Sequence, residues 1–375
     1  MRKIPFIFLC MLVLSSCSLF KGKIKPYPEG VIFPLEKDEE LIYEGEIIEF
    51  AYLVKDRLFF STRTGMVYCM DVLNRIIHWE FKIKQNFKSR IYPGKDNLYV
   101  VDNTNQLFSI SLEGDLNWKS QISGRVTSGI IEYDNNVYLG TAAGSFFAYD
   151  RSTGENKWRF KVEKGIHSHP AADSGSVFFG CDDQKIYSLD HEGNLRFTLD
   201  CGEKIRSYLL IDGKRLYFST DDDHIYCYDL NKRHRKWKVK CGAPIRTPFF
   251  YDKKRLLFVS WDSVLYCLNR KNGHILWWNV VPSRSSYSME TVKDKLVVSS
   301  MSAVIRCFDI DTGKIIGNYQ ENKEIRSNPV WYSPFLLVNV YDKGEDKGKL
   351  VFLKKEIKVI LSPSAVSPSK VNEEI

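Results

Sequence analysis

An all-β fold, a ring of eight four-stranded sheets forming a β-propeller, is predicted by three observations on the 375-residue sequence. One is composition: 20 Tyr and 23 Phe in a chain that is 44% hydrophobic favour strands and supply a large core. Another is a repeat. Trp79, Trp118, Trp158, Phe197, Trp237 and Trp277 stand 39 or 40 residues apart. Two further series keep the same step: Tyr68, Phe108, Phe147, Tyr187, Tyr226, Tyr266, and Asp71, Ser111, Asp150, Asp190, Asp229, Asn269, Asp309. The third is the content of one period. Residues 205–240 hold four alternating runs, IRSYLLI, RLYFST, HIYCYDL and KWKVK, separated by turn residues. Four strands in about 40 residues is the period of a propeller blade, whereas helical repeats place apolar residues three and four apart.

The chain opens MRKIPFIFLCMLVLSSCSLF. Arg2 and Lys3 precede an apolar stretch, Ile4 to Leu14, too short to span a bilayer and of the right length for the core of an export signal. Leu14-Ser15-Ser16-Cys17 then resembles the bacterial lipobox. That implies a signal peptide over 1–16, acyl chains such as palmitate on Cys17, and, with Ser18 following, the outer membrane. An ordinary export signal, with Cys10 and Cys17 incidental, is the other reading. Residues 17–40 are read as the lipidated cysteine and its tether, 41–361 as the propeller, and 362–375 as a disordered Ser/Pro-rich tail.

The blades follow in order, each marked by its second strand: LFFST (58–62), LYVVD (98–102), VYLGT (137–141), VFFGC (177–181), LYFST (216–220), LLFVS (256–260), LVVSS (296–300) and LLVNV (336–340). The last unit is the least regular, and seven blades is the alternative count. A charged loop, YDKGEDKGK (341–349), is expected between its second and third strands. Its outer strand is either EIKVIL (356–361) or an N-terminal strand near 41–48, which would fasten the two ends of the chain together.

One turn carries a recognisable motif. AYDRSTGENKW (148–158) fits A-x-D-x-x-T-G-x-x-x-W, with weaker copies CMDVLNRIIHW (69–79), CLNRKNGHILW (267–277) and CFDIDTGKII (307–316). Asp150 and Thr153 suit side-chain bonds to the turn backbone, Gly154 suits positive φ, and Trp158 suits flat packing on the next blade. Trp79, Trp118, Trp237 and Trp277 fall in the same docking role. The motif resembles that of the pyrroloquinoline-quinone-type propeller repeat, over roughly 40–361. The resemblance implies one of two branches. Quinoprotein dehydrogenases carry large insertions, an adjacent cysteine pair over the quinone, calcium ligands and an Asp base; this sequence has no adjacent cysteine pair. Signal, length and blade count fit better the propeller lipoprotein of the outer-membrane β-barrel assembly machine, a non-catalytic, lipid-anchored scaffold in the periplasm. The expectation is therefore no enzyme, no pyrroloquinoline quinone or other cofactor beyond the lipid, membrane contact through that lipid, and protein partners in the cell envelope. A quinone-dependent dehydrogenase, and a ligand- or surface-binding propeller with no assembly role, are the alternatives.

The net charge of +8 is spread without a basic cluster, so nothing points to nucleic acid. Asp221-Asp222-Asp223-His224 with Cys227 has metal-ligand chemistry, yet Asp223 aligns with Gly65, Asn105, Gly144, Gln184 and Ser263. The segment is read as the turn between second and third strands, with His224 and Cys227 on opposite strand faces, and no metal is expected. His167 and His169 share a face but lack a third ligand. Cys69, Cys227, Cys267 and Cys307 occupy one repeat position, too far apart for disulfides; Cys181 and Cys201 are the one pair worth testing. The functional candidates lie at the starts of the inner strands, where IRS, IRT and IRS recur at 205–207, 245–247 and 325–327. In step with their arginines are Lys88, Thr127, His167, Arg206, Arg246, Ser286 and Arg326, with Arg90 and Arg284 two residues away. Lys88, Arg90, His167, Arg206, Arg246, Arg284 and Arg326 are expected to ring one mouth of the channel and attract an anionic group or acidic partner segment. The competing reading gives these arginines to carboxylates and carbonyls between blades.

Overall fold

A computed structural model of the chain describes residues 33–47, 52–83, 90–283 and 289–355. Eight antiparallel sheets follow one another as blades, and no helix occurs among the described residues. The predicted eight-bladed propeller is the observed fold. In blades 1 to 7 the chain steps outward strand by strand; in blade 5 the strands are Leu210–Asp212, Arg215–Ser219, His224–Asp229 and His234–Lys240. The burial of each strand follows from its place. The second strand of blade 5, RLYFS, is buried on both faces after its first residue, whereas outer strands alternate toward solvent. The core lies between successive sheets. Phe146 of blade 3 stacks on Phe179 of blade 4 with ring centroids 4.1 Å apart.

Blade 8 is assembled from both ends of the described chain. Glu324–Ile325 and Val330–Tyr332 form its inner edge, and Phe335–Asp342 and Lys347–Lys355 follow. Its outer strand is Leu35–Glu44, whose register on the preceding strand runs from Leu35↔Lys355 to Glu44↔Lys347. The N-terminal alternative is thus the observed one, and EIKVIL (356–361) lies outside the described residues. The strand begins at Leu35, so the segment read as tether over 17–40 ends in ordered sheet. Ion pairs Lys349–Glu40 (3.3 Å) and Lys354–Asp38 (2.7 Å) cross the ladder. The expected charged loop 341–349 shrinks to a short turn, because Tyr341 and Asp342 still pair with Gly348 and Lys347. Buried Val340 and Leu350 keep that hairpin in register, while Lys343, Glu345 and Asp346 face water and buried Asp342 pairs with Lys323.

The inner strands are shorter than the sequence pattern suggests. IRSYLLI contributes only Leu210 and Ile211 to the strand Leu210–Asp212, and Arg206 sits in the connection before it. Ser207 explains the difference. Its hydroxyl donates to Ser219 O (3.0 Å) and accepts from Ser219 N (2.9 Å), standing in for ladder bonds that the backbone does not make. Ser168 does the same at Gly180 (3.0 and 2.8 Å) and Thr247 at Val259 (2.9 and 3.3 Å). Neighbouring isoleucines 205, 245 and 325 are buried. In the Ile-Arg-Ser/Thr pattern, then, the first and third residues hold the fold and leave the arginine side chain to point elsewhere.

The docking turns bind blade to blade. In blade 3, Asp150 Oδ1 accepts from Ser152 N (2.8 Å) and Thr153 N (3.1 Å), and Gly154 takes φ 72°. Trp158 donates its indole N–H to His191 O in blade 4 (2.9 Å), and a Cβ on Gly193 would come within 2.7 Å of the ring. Trp79, Trp118, Trp237 and Trp277 donate likewise to Leu112, Arg151, Arg270 and Ile310 at 2.8–3.3 Å. Three junctions differ. Between blades 7 and 8, Gly317 stands at the tryptophan position and Phe33 packs against it. Between blades 4 and 5, Phe197 replaces the indole and Arg233 (φ 51°) the glycine, with the guanidinium carbon 4.9 Å from the ring centroid. Between blades 8 and 1, Arg75 (φ 59°) lies over Phe335 and Phe352 and pairs with Asp38 and Glu39 of the N-terminal strand.

A belt of paired arginines with an exposed tryptophan

The connection entering each blade and that blade's turn between second and third strands meet on one face. Backbone bonds Asp182 N to Gly165 O, Asp221 N to Lys204 O (both 3.0 Å) and Trp261 N to Pro244 O (3.0 Å) repeat this latch in blades 4, 5 and 6. The predicted arginines project from these connections, but not as free cations. Arg206 reaches back to the previous blade and holds Asp182 with two bonds, 2.7 and 2.6 Å. Arg246 holds Asp221 at 2.6 Å, and Asp221 also lies 3.8 Å from Arg206. His167 lies 3.4 Å from Asp182. Arg326 takes Glu324 at 2.6 Å and Glu46, at the entry to blade 1, at 3.4 Å. Burial works against the Asp182 carboxylate, but its bonds to Arg206 and the nearby positive charges outweigh that and hold its pKa below the ordinary value. In place of a ring of unpaired cations, the described part of the mouth carries guanidinium–carboxylate pairs that tie blades together. Lys88 and Arg284 lie outside the described residues, as does Cys17.

The triple aspartate divides its labour within this belt. Asp221 is the partner of Arg246. Asp222 accepts from Thr220 and lies 2.9 Å from His224 Nδ1. Asp223 takes φ 69°, as do its repeat-mates Asn105 (63°), Gln184 (73°), Ser263 (68°) and Gly65 and Gly144. It is a turn built from short polar side chains that tolerate the left-handed region.

The pattern changes at blade 6. Where blades 4 and 5 place Asp182 and Asp221, blade 6 places Trp261, 42% exposed, with Arg246 5.7 Å from its ring centroid. Blade 7 places Met301 there, 41% exposed. The belt thus runs from paired charges into a protruding aromatic and a thioether. Sequence reasoning passed over Trp261, although its place in step with two aspartates was a readable signal.

Arg90 lies deeper. Its guanidinium donates to Tyr208 OH (2.7 Å), from blade 2 to blade 5, so the bond crosses the channel. Tyr208 stacks on His169 with centroids 4.5 Å apart and planes at 15°, and Tyr92 stands 6.2 Å from His169 on another side. Gly129 has no side chain because a Cβ there would enter the His169 ring. The two histidines therefore part company: His167 faces the belt and His169 is sealed in the channel, its pKa pushed down to about 4 by burial and further by Arg90. No group of three metal-ligating side chains occurs among the described residues. The seven described cysteines are free, Cys181 and Cys201 included.

A comparison with curated protein sequences finds no match. Among solved structures, the chain is similar to BamB from Moraxella catarrhalis (15% identity, TM-score 0.68, 86% of this chain and 100% of that one). It is similar also to the computationally designed Ika8 protein (12%, 0.71, 83% and 97%). Quinohemoprotein alcohol dehydrogenase from Comamonas testosteroni is a third (11%, 0.69, 90% and 79%). Likeness at such identities speaks for the fold alone. The family model is more specific: it matches four times, over 43–164, 112–206, 147–249 and 237–354, and so spans nearly all the blades. The chain therefore belongs to the family described as outer membrane protein assembly factor BamB.

Proposed function

We propose that the chain is a non-catalytic protein-binding scaffold of the cell envelope that serves outer-membrane protein assembly. In this reading it is exported, anchored by lipid on Cys17 to the outer membrane and turned toward the periplasm. The observation that carries the reading is the family match over 43–354. The belt face is where we place the contact. Trp and Arg dominate the energetics of protein interfaces when packed together and shielded by a polar rim. Trp261 beside the Asp221-bound Arg246 has that composition.

The test is affinity capture of the tagged, lipidated protein from cross-linked envelopes. Recovery of β-barrel assembly components by the native protein, and its loss with Trp261→Ala, is the expected result. Arg206→Ala combined with Arg246→Ala should weaken capture too; unchanged capture by that variant removes the arginines from the binding site. Failure of the native protein to recover any assembly component refutes the assembly role and favours a propeller that binds another ligand or surface. A quinone absorbance and dye reduction after adding pyrroloquinoline quinone and calcium would overturn the non-catalytic reading instead.

A further inference from the structure

Where Phe197 and Arg233 replace the docking pair, the rim of the propeller opens into a cavity of about 320 Å³ between blades 4 and 5. The two replacements cost stability that the Arg233 guanidinium over the Phe197 ring offsets only in part. Phe lacks the indole N–H that the five tryptophans use, and a non-glycine residue at φ 51° costs about 1 kcal/mol or more. At the junction of blades 8 and 1 Arg75 is accounted for by Asp38 and Glu39. Arg233 lies over the Phe197 ring but meets no carboxylate among the described residues, and Arg196, across the cavity, feels only the more distant Asp190. Asp173 also lines the space, but its Oδ1 is engaged by its own turn, accepting from Gly175 N and Ser176 N at 2.9 Å. Phe178, Phe197 and Leu230 supply an apolar floor. A local departure from the repeat that costs stability and leaves a shaped, cationic, partly apolar space is the signature of a site rather than of packing.

We propose that this inter-blade cavity binds an organic carboxylate carried on an apolar body, such as an acidic residue next to an aromatic one in a partner's extended segment. The carboxylate is held between Arg196 and Arg233, and the apolar group lies on Phe197 and Leu230. The site stands apart from the arginine belt and does not depend on the reading above.

The full chain is titrated by calorimetry with four probes: the blocked peptide Gly-Glu-Phe-Gly, its Gln counterpart, 3-phenylpropionate and inorganic phosphate. The Glu peptide should bind at least about tenfold more tightly than the Gln peptide, the difference one charge-assisted bond makes. Arg196→Gln should erase that preference. Binding of 3-phenylpropionate as tight as that of the Glu peptide would identify a small aryl carboxylate as the ligand, within the same chemistry. The decisive variant is Phe197→Trp with Arg233→Gly, which restores the docking pair of the five tryptophan junctions. It should raise the melting temperature by about 2 °C or more and abolish binding. Any of three results overturns the proposal: no binding of either carboxylate to the native chain, phosphate binding as tight as the Glu peptide's, or undiminished binding by the restored variant.

Discussion

Mild acid should destabilise the propeller through one side chain, His169. Its imidazole is buried, donates from Nδ1 to Pro170 O (3.2 Å), stacks on Tyr208 and feels Arg90, which bonds the same tyrosine. Burial first, and the Arg90 charge after it, bring its pKa to about 4 from an ordinary value of 6.5. Above that ordinary value the ring is neutral in native and unfolded chain alike and stability does not change. As pH falls from about 6.5 to about 4, the unfolded chain takes up a proton that the native protein refuses, so stability declines across that window and the loss levels off below it. At about 1.36 kcal/mol per unit the full loss approaches about 3 kcal/mol, a large share of the roughly 5–15 kcal/mol typical of a folded domain. Urea unfolding followed by tryptophan fluorescence at several values between about pH 7 and about pH 4.5 measures it. His169→Asn keeps a donor and cannot titrate. It is less stable than the native protein at neutral pH, but its stability should fall more gently, by about 2 to 3 kcal/mol over the window. The remaining histidines and the carboxylates are common to both proteins and cancel. Equal slopes for the two proteins would refute the assignment.

Two further predictions concern the joints and a third the thiols. Trp158→Phe removes the bond to His191 O and leaves that carbonyl short of a partner, a loss of about 1–3 kcal/mol that thermal unfolding would show. Arg75→Ala removes the cation from Phe335 and Phe352 and frees Asp38 and Glu39. Amide exchange should then accelerate over Leu35–Glu44 before the other blades, with a stability loss of about 1–3 kcal/mol. The thiols of Cys69 and Cys227, with pKa raised to about 11, and of Cys181, Cys201, Cys241, Cys267 and Cys307, raised to about 12, owe this first to burial. Iodoacetamide should modify these positions slowly in the native protein and readily in urea, as mass spectrometry of the peptides would record.

The repeat made the blades readable because every blade solves the same packing problem with the same residue types at the same step. What the period could not carry was pairing between blades. Arg206, Arg246 and Arg326 stood out as a basic series, while Asp182, Asp221 and Glu46 belong to turns and connections whose partners are distant in the chain. The hydroxyls of Ser207 and Thr247 in those triplets, and of Ser168 in step with them, hold the inner edge to the second strand, a role their spacing alone did not reveal. His167 and His169 looked equivalent by spacing; only the third dimension puts one at an aspartate and the other under a tyrosine. Trp261 shows the converse case, a functional hint that lay in a departure from the repeat rather than in the repeat itself.

The closing of blade 8 also sets an order in time. Leu35–Glu44 is made early, yet its partner strand is Lys347–Lys355, and the pair Lys349–Glu40 is 309 residues apart in sequence. The first described strand is thus the last to find its seat. Until then the earlier blades can form on local contacts, while the ends of the growing arc stay open. A chain cut short after blade 7 would keep every tryptophan joint and still lack the strand that Leu35–Glu44 needs, so the ring itself distinguishes a finished molecule from an unfinished one.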